Sequence, residues 1–351
     1  MNTYNLPIFM SYGEGLLENL SDELGKNWSQ LYNKKILLLS TDDLLNKFRK
    51  EISKITAELP KMEILKIKES SFEHSIEVAK YICTNDINMV LGFGGGVVLD
   101  TSKYASFVSK VTYIAIPTTL SNDGLASPIA VLYSQNKRKK SYGSKIPDGI
   151  IIDTDIIAGA PEIMLKAGIG DTLSNYTSLY DWKLSCIKNG TKVNDFAYML
   201  SETAFNLLLY SHEKSLKSKQ CLKMVAQSLV LSGLAMEIAG NSLPCSGSEH
   251  LFCHAIDELY DLNIPHGILV ALGSIVACKL QCRNYTLLID YLNDFDISIN
   301  PLKLGINKEI FINAWLNAPK TRTDRYTVLN EINLSESLFG EIYDNLLEIC
   351  K

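Results

Sequence analysis

The sequence has no long block of basic residues, and its formal net charge is −5. Proteins that bind nucleic acid usually present a basic patch or stripe, so we do not expect nucleic acid as the main partner. Long uninterrupted apolar runs are also absent from the sequence, where the longest, such as residues 268–278, cover about half of a membrane span. We therefore expect no membrane partner.

A disulfide framework of the kind found in small secreted proteins is missing as well. The 8 cysteines follow no regular spacing, which is typical of reduced thiols inside the cell. The first twenty residues carry Glu14, Glu18 and Asn19 instead of the basic and apolar blocks of a signal peptide. These features predict a cytoplasmic protein.

The length and the pattern of apolar residues predict two domains. A chain of 351 residues exceeds the usual size of one compact core. In residues 1–155, strands alternate with helical segments such as 70–84 and 97–108, which indicates a parallel, doubly wound sheet. The predicted strands are residues 35–40, 62–67, 87–93, 111–117 and 149–153.

Residues 156–351 have a different character, because helical periodicity continues without a convincing strand. We predict an all-α second domain. Its helices are expected at residues 163–180, 195–209, 220–239, 249–260, 267–280 and 308–315.

Three of the five histidines, His250, His254 and His266, lie within seventeen residues. The first two are four residues apart and therefore share one face of a helix. Upstream, Asp171 offers a carboxylate in what we predict to be a glycine-flanked turn. Two histidines and one carboxylate with a fourth position open are the usual make-up of a catalytic zinc site. Taken alone, the three histidines are equally consistent with scattered capping or core residues.

A glycine-rich segment, residues 92–96, joins a predicted strand to a helix that carries Asp100 and Lys103. Glycines at such a turn let the backbone approach a pyrophosphate, which then binds the amides of the helix start. Because the spacing differs from the standard G-x-G-x-x-G, an ordinary tight turn is the alternative. Asp42 or Asp43 could bind an adenosine ribose, which favours NAD over NADP, or could cap the next helix.

The segment 117–128 follows the next predicted strand and contains several hydroxyls and the carboxylate of Asp123. Ligands of open α/β sheets bind at the carboxyl ends of the strands. We expect this loop to bind a ligand, with a solvent-exposed polar loop as the alternative.

Five motifs in one order resemble the glycerol-1-phosphate dehydrogenases, a branch of the superfamily of iron-containing alcohol dehydrogenases, glycerol dehydrogenases and dehydroquinate synthases. The resemblance implies a dehydroquinate synthase-like fold, with a Rossmann-like dinucleotide-binding domain in residues 1–155 and an all-helical metal-binding and catalytic domain in residues 156–351. The motifs are Gly94-Gly-Gly-Val-Val-Leu-Asp100-Thr-Ser-Lys103, Pro117-Thr-Thr-Leu-Ser-Asn-Asp123-Gly-Leu-Ala-Ser-Pro128, Gly170-Asp171-Thr-Leu-Ser-Asn175-Tyr-Thr-Ser-Leu-Tyr-Asp181-Trp182, Ser246-Gly-Ser-Glu-His250-Leu-Phe-Cys-His254-Ala-Ile-Asp257 and Arg325-Tyr-Thr-Val-Leu329.

The resemblance also implies roles for single residues. Zinc would be held by Asp171, His250 and His266, with His254 facing the substrate and Asp123 holding substrate hydroxyls. Iron-dependent relatives have a second histidine four residues after the aspartate, where this chain has Asn175. The residues at the positions that hold the dinucleotide, NAD or NADP, in relatives are Gly94, Gly95, Gly96, Asp100, Thr118, Thr119, Ser121, Ser127 and Tyr133.

The chain departs from the family after the last histidine. The branch usually has H-G-E there, and this chain has Ile268 in place of the glutamate. The departure puts in doubt how the metal ligands are tuned by the residues around them.

The implied reaction is the reversible reduction of dihydroxyacetone phosphate to glycerol 1-phosphate by NAD(P)H, with zinc polarising the ketone. An unphosphorylated polyol oxidoreductase, a dehydroquinate-synthase-like lyase and a non-catalytic binding protein are the alternatives. Superfamily members commonly associate, so a homo-oligomer is expected. The candidates for binding a phosphate are Lys137, Arg138, Lys139, Lys140, Lys145 and Arg325, although a solvated basic loop is the simpler interpretation of Lys139 and Lys140.

Overall fold

The computed structural model describes residues 4–28, 31–136, 138–213 and 215–349. The chain divides into two compact units. Met1–Leu120 and Gly124–Pro161 form the first, and Ser121–Asp123 and Glu162–Lys351 form the second.

The first unit contains a six-stranded sheet, which is parallel as the sequence predicts but has one strand more than the five predicted. The strands are β1 (Phe9–Gly13), β2 (Ile36–Ser40), β3 (Met62–Lys66), β4 (Met89–Gly94), β5 (Thr112–Pro117) and β8 (Gly149–Asp153). They lie in the order β1-β8-β5-β4-β2-β3, and every pair of neighbours is parallel. Strands β2, β4 and β8 are buried along their whole length, which explains why they appear as continuous apolar runs.

Two features of this unit were missed by the sequence prediction. Strand β1 adds to the edge of the sheet beside β8. Strands β6 (Ile129–Tyr133) and β7 (Lys139–Gly143) form an antiparallel pair outside the main sheet. The helices of the unit are α1 (Leu20–Gly25), α2 (Asp42–Lys47), α3 (Arg49–Glu58), α4 (Phe72–Thr84), α5 (Gly96–Ser109) and α6 (Thr154–Ala158).

The second unit is helical, and its described residues contain no strand. The predicted single helix over residues 163–180 is wrong, because the chain forms two helices that meet near Ser174. Its helices are α7 (Glu162–Leu173), α8 (Asn175–Asn189), α9 (Asp195–Leu209), α10 (Lys219–Ala239), α11 (Ser248–Leu259), α12 (His266–Leu280), α13 (Thr286–Asp294), α14 (Lys308–Thr321) and α15 (Glu336–Ile349).

Helix α10 is long and apolar enough to cross a membrane by length and composition alone. However, 72% of its most apolar 18-residue window is buried inside the protein. Core helices commonly combine apolar character with such burial.

Candidate metal and cofactor sites

Asp171 lies in helix α7 and not in the turn that the sequence analysis predicts. Gly170, beside Asp171, allows helices α7 and α12 to pack closely. A Cβ added at Gly170 would lie 2.3 Å from the Gly267 carbonyl oxygen. A Cβ added at Gly267 would lie 1.8 Å from the Ala167 carbonyl oxygen. Only glycine permits such contact. The crossing of α7 and α12 therefore brings Asp171 to His266, the first residue of α12.

Helix α11 supplies His250 and also packs closely on α12. A Cβ at Gly273 of α12 would lie 2.8 Å from the Glu249 carbonyl oxygen. Both Glu249 and His250 are buried. Three helices thus fix the positions of Asp171, His250 and His266.

The three side chains point their donor atoms at one another. Asp171 Oδ1 lies 3.7 Å from His250 Nε2 and 3.6 Å from His266 Nε2, and one donor atom from each residue lies within 4.8 Å of the others. Two ligand atoms bound tetrahedrally to one zinc ion are separated by about 3.4 Å. The spacing is too long for hydrogen bonds and fits three ligands of one ion.

The other nitrogen of each ring is held by a neighbouring side chain. His250 Nδ1 lies 2.9 Å from Glu249 Oε1, and His266 Nδ1 lies 3.2 Å from Cys253 Sγ. Glu249 also accepts hydrogen bonds from the Gly247 N–H and, through Oε2, from Thr177 Oγ1. Such contacts fix the tautomer and orientation of a metal-binding histidine.

Charge interactions in this cluster shift three pKa values. Burial raises the pKa of Asp171, but the two imidazoles and the Asp123 N–H outweigh burial and hold it below its usual value. Burial lowers the pKa of His250, yet Asp171 and Glu249 raise it to about 9. Burial, followed by the charges of His250 and His266, lowers the pKa of His254 to about 3. The His254 imidazole is therefore neutral near pH 7.

Residues 121–123 belong to the same unit as Asp171, His250 and His266. The Asp123 backbone N–H donates to Asp171 Oδ2 over 2.9 Å. A cavity of about 420 Å³ adjoins this segment and reaches His266. It is lined by Ser121, Asn122, Ile163, Met164, Asn263, Ile264, Pro265 and His266.

In the first unit, Gly94–Gly96 lie where β4 ends and α5 begins. A Cβ at Gly94 would lie 2.6 Å from the Val98 side chain, whereas one at Gly96 would meet no atom of the described chain within 4 Å. Gly95 is the N-cap of α5. The space beside Gly96 at the start of α5 is therefore free of other atoms of the described chain, which leaves room for an anion at this helix N-terminus.

The remaining residues predicted to hold the cofactor occupy varied environments. Asp100 lies 3.6 Å from the buried Lys103 ammonium, and burial raises the pKa of Asp100 to about 6 although Lys103 lowers it. Thr118 and Ser127 are buried, Thr119 and Ser121 are partly buried, and Tyr133 lies in β6 with 41% exposure. Thr119 Oγ1 would lie 3.5 Å from a Cβ at Gly95.

Asp42 is the first residue of helix α2, where Thr41 is the N-cap. Its carboxylate lies 2.5 Å from Lys66 Nζ, and both side chains are more than half exposed. An acidic side chain in the first turn is also favoured by the helix dipole. The ribose-binding role of Asp42 stays a prediction.

The described basic residues among those proposed for phosphate binding occupy different environments. Lys137 lies outside the described residues, and Lys139 and Lys140 are exposed on β7. Lys145 donates to the Val111 carbonyl and to Asp148. Arg325 is nearly buried and donates to the Ser246 carbonyl and to Ser242 Oγ.

Comparisons with known proteins match most of the chain. Residues 13–161 match the family model of iron-containing alcohol dehydrogenase. Curated proteins named glycerol-1-phosphate dehydrogenase (NAD(P)+) are similar over long stretches. The protein of Pyrococcus horikoshii is 35% identical over 80% of this chain and 81% of its own length. That of Thermococcus sibiricus is 32% identical over 96% of this chain and 95% of its own length.

The chain belongs to the glycerol-1-phosphate dehydrogenase family. Membership in this family makes it an oxidoreductase. Solved structures agree on the fold: glycerol dehydrogenase from Schizosaccharomyces pombe has a TM-score of 0.80 at 20% identity, covering 100% of this chain and 91% of that one. A probable glycerol dehydrogenase from Sinorhizobium meliloti has a TM-score of 0.78 at 19% identity, covering 100% and 99%.

In this member of the glycerol-1-phosphate dehydrogenase family, a buried carboxylate contacts His250 despite the change at position 268. Ile268 is buried, and the carboxylate beside His250 comes from Glu249. The contacts of Glu249 with His250 and of Cys253 with His266 were not predicted from the sequence. A sequence signal existed for both, because Glu249 directly precedes His250 and Cys253 lies three residues after it.

Asn175, where iron-dependent relatives have a histidine, is buried at the start of α8. Its amide nitrogen donates to the Ser201 carbonyl and to Ser232 Oγ. Its Oδ1 has no hydrogen-bond partner among the described residues. The side chain is therefore anchored to α9 and α10.

Proposed function

We propose that this protein reversibly reduces dihydroxyacetone phosphate to glycerol 1-phosphate, using NADH or NADPH and a divalent metal ion. One observation carries the proposal: in a chain of this family, donor atoms of Asp171, His250 and His266 lie within 4.8 Å of one another. That is the donor set of a catalytic metal site with an open position.

Asp171, His250 and His266 would hold the ion, and we propose zinc. When bound, the ion would polarise the ketone oxygen and the reduced nicotinamide would supply the hydride. Two imidazoles and one carboxylate suit zinc, and iron-dependent relatives have a histidine where this chain has Asn175. Metal content of the purified protein, measured by mass spectrometry, tests zinc against iron.

The surrounding residues orient the ligands. Glu249 holds His250 by Nδ1 and thereby leaves Nε2 facing Asp171. The Asp123 N–H holds the second oxygen of Asp171. Each oriented ligand loses less freedom when an ion binds.

Reduction of a ketone also consumes one proton. His254 is neutral near pH 7, so it would donate a hydrogen bond or pass a proton between its two nitrogens, and would not act as an imidazolium acid. Water is the other route for the proton. Asp123 would accept hydrogen bonds from the substrate hydroxyl.

The glycine segment of the first unit would bind the cofactor. Gly95 and Gly96 leave the amides at the start of α5 open to a pyrophosphate. We propose that the remaining predicted residues, from Asp100 to Tyr133, shape the same site. Asp42 would favour NAD over NADP by repelling a 2′-phosphate.

A polyol dehydrogenase acting on unphosphorylated substrate is the second candidate, and one observation favours it. The residues that line the 420 Å³ cavity include two asparagines and a serine but no lysine or arginine. Amides and hydroxyls suit the hydroxyls of a polyol, whereas a phosphate usually contacts cations or amide N–H groups.

Kinetics of the zinc-loaded protein separate the two candidates. We expect kcat/KM for dihydroxyacetone phosphate to exceed that for dihydroxyacetone, and the product to resist oxidation by an sn-glycerol-3-phosphate-specific dehydrogenase. The substitution Asp171→Asn should reduce kcat/KM by more than about 100-fold, while Asp195→Asn, on the exposed start of α9, should not. A preference for dihydroxyacetone would favour the polyol dehydrogenase.

We also propose that the protein is cytoplasmic and forms a homo-oligomer. Light scattering of the purified protein tests the assembly, and a single monomeric peak would contradict it.

A further inference from the structure

A second group of potential ligands lies beside the first in the helical unit. Donor atoms of Cys253, Asp257 and His266 all lie within 4.8 Å of one another. Cys253 and Asp257 are four residues apart on α11 and therefore lie one above the other on one face of that helix. His266 at the start of α12 completes the group.

His266 belongs to both groups through different nitrogens. Its Nε2 lies 3.6 Å from Asp171 Oδ1, and its Nδ1 lies 3.2 Å from Cys253 Sγ. A thiolate and an imidazole nitrogen bound tetrahedrally to one zinc ion are separated by about 3.5 Å. The spacing of sulfur and nitrogen thus fits an ion as well as it fits a hydrogen bond.

We propose that Cys253, Asp257 and His266 Nδ1 form a second metal site, which binds a borderline divalent ion of the zinc class. A thiolate, a carboxylate and an imidazole are zinc ligands, and the thiolate disfavours magnesium and calcium. Water completes the coordination from the side of His266, whose side chain is 31% exposed.

Sharing of His266 couples the two sites. Zinc–nitrogen bonds of about 2 Å on both sides of one imidazole place the two ions about 6 Å apart. Occupation of both sites displaces the thiol proton and the remaining imidazole proton to solvent. The second ion then takes over from the Cys253 thiol the role of fixing the orientation of His266.

Cobalt(II) titration of the metal-free, reduced protein tests the second site by a signal that the first site cannot give. Asp171, His250 and His266 contain no sulfur, so among the ligands of the two sites only Cys253 can give a near-ultraviolet thiolate-to-cobalt charge-transfer band. We expect two equivalents of cobalt per chain, one of which brings the band. Only one bound equivalent, or two without the band, overturns the proposal.

Variants assign each equivalent to its ligands. Cys253→Ala should lose the band and retain one equivalent, His250→Ala should retain the band, and His266→Ala should weaken both equivalents. Asparagine is nearly the same in shape as aspartate, and Asp257→Asn should lower the affinity for the cobalt ion that gives the band by about 10-fold or more. A band that persists in Cys253→Ala overturns the assignment.

Cys278→Ala is the matched control, because Cys278 is also buried but lies outside both groups. It should retain the band and both equivalents. Circular dichroism of each variant monitors folding, and Asp257→Asn gives an independent test if Cys253→Ala does not fold. Because cobalt binding is measured without substrate, this test is independent of whether dihydroxyacetone phosphate is reduced.

Discussion

Replacing Glu249 with glutamine should weaken zinc binding without disturbing the fold. Oε1 of Glu249 contacts both the Gly247 N–H and His250 Nδ1, and Oε2 accepts from Thr177 Oγ1. The glutamine oxygen can take the place of Oε1. Its amide nitrogen can donate to Thr177 Oγ1, whose hydroxyl has another acceptor 3.0 Å away in the Ser174 carbonyl. Glu249→Gln therefore removes the negative charge and keeps every hydrogen bond.

The expected loss of zinc affinity is about 10–100-fold, or about 1.4–2.7 kcal/mol. The assay is competition with a chelator of known zinc affinity near pH 9. At that pH the proton on His250 competes with zinc much less than at pH 7, because the pKa of His250 is raised to about 9. Glu202→Gln, exposed on α9, is the matched control. Wild-type zinc affinity in a folded Glu249→Gln variant would refute the role given to Glu249.

Four further predictions address the cofactor loop, the stability of the first unit and the effect of pH. Gly96→Ala should raise the NADH Kd by about 10-fold or more, measured by fluorescence titration, through loss of an amide contact of about 1.5 kcal/mol, with Tm unchanged. Gly94→Ala should instead lower stability by about 1–3 kcal/mol in urea unfolding, because its Cβ would overlap Val98. Lys103→Met should destabilise the protein by about 3–5 kcal/mol in the same assay, since it removes the cation paired with the Asp100 carboxylate and one donor to each of the Gly124 and Ile129 carbonyls; a loss below 1 kcal/mol would contradict this. Zinc affinity should rise about tenfold per pH unit from pH 7 towards pH 9, as His250 loses its proton; a pH-independent zinc Kd in chelator competition would contradict it.

The sequence predicts the parallel sheet well because β2, β4, β5 and β8 are apolar on both faces. Strand β1 and the β6–β7 pair are partly exposed and contain polar residues, so their patterns do not stand out. The α7–α8 break was missed because buried residues continue through Ser174. The period of the apolar residues alone does not show where one buried helix ends and the next begins.

The sequence could nominate Asp171, His250 and His266 as candidate ligands but could not predict the residues around them. The glycines beside Asp171 were interpreted as a turn, because a glycine that allows two helices to touch has the same local signature as one that ends a helix. Gly170 packs against Gly267, which lies about a hundred residues away in the sequence, so the local pattern does not show this contact. The contacts of His250 with Glu249 and of His266 with Cys253 depend on side-chain directions, which spacing does not specify.

Zinc-dependent turnover is the most direct test of the proposed reaction. The measurement is the rate of NADH or NADPH oxidation after dihydroxyacetone phosphate is added to the chelated protein, before and after one equivalent of zinc. We predict no turnover before zinc and sustained turnover after it. Equal rates in both states would contradict the account of Asp171, His250 and His266 as the ligands of a catalytic ion.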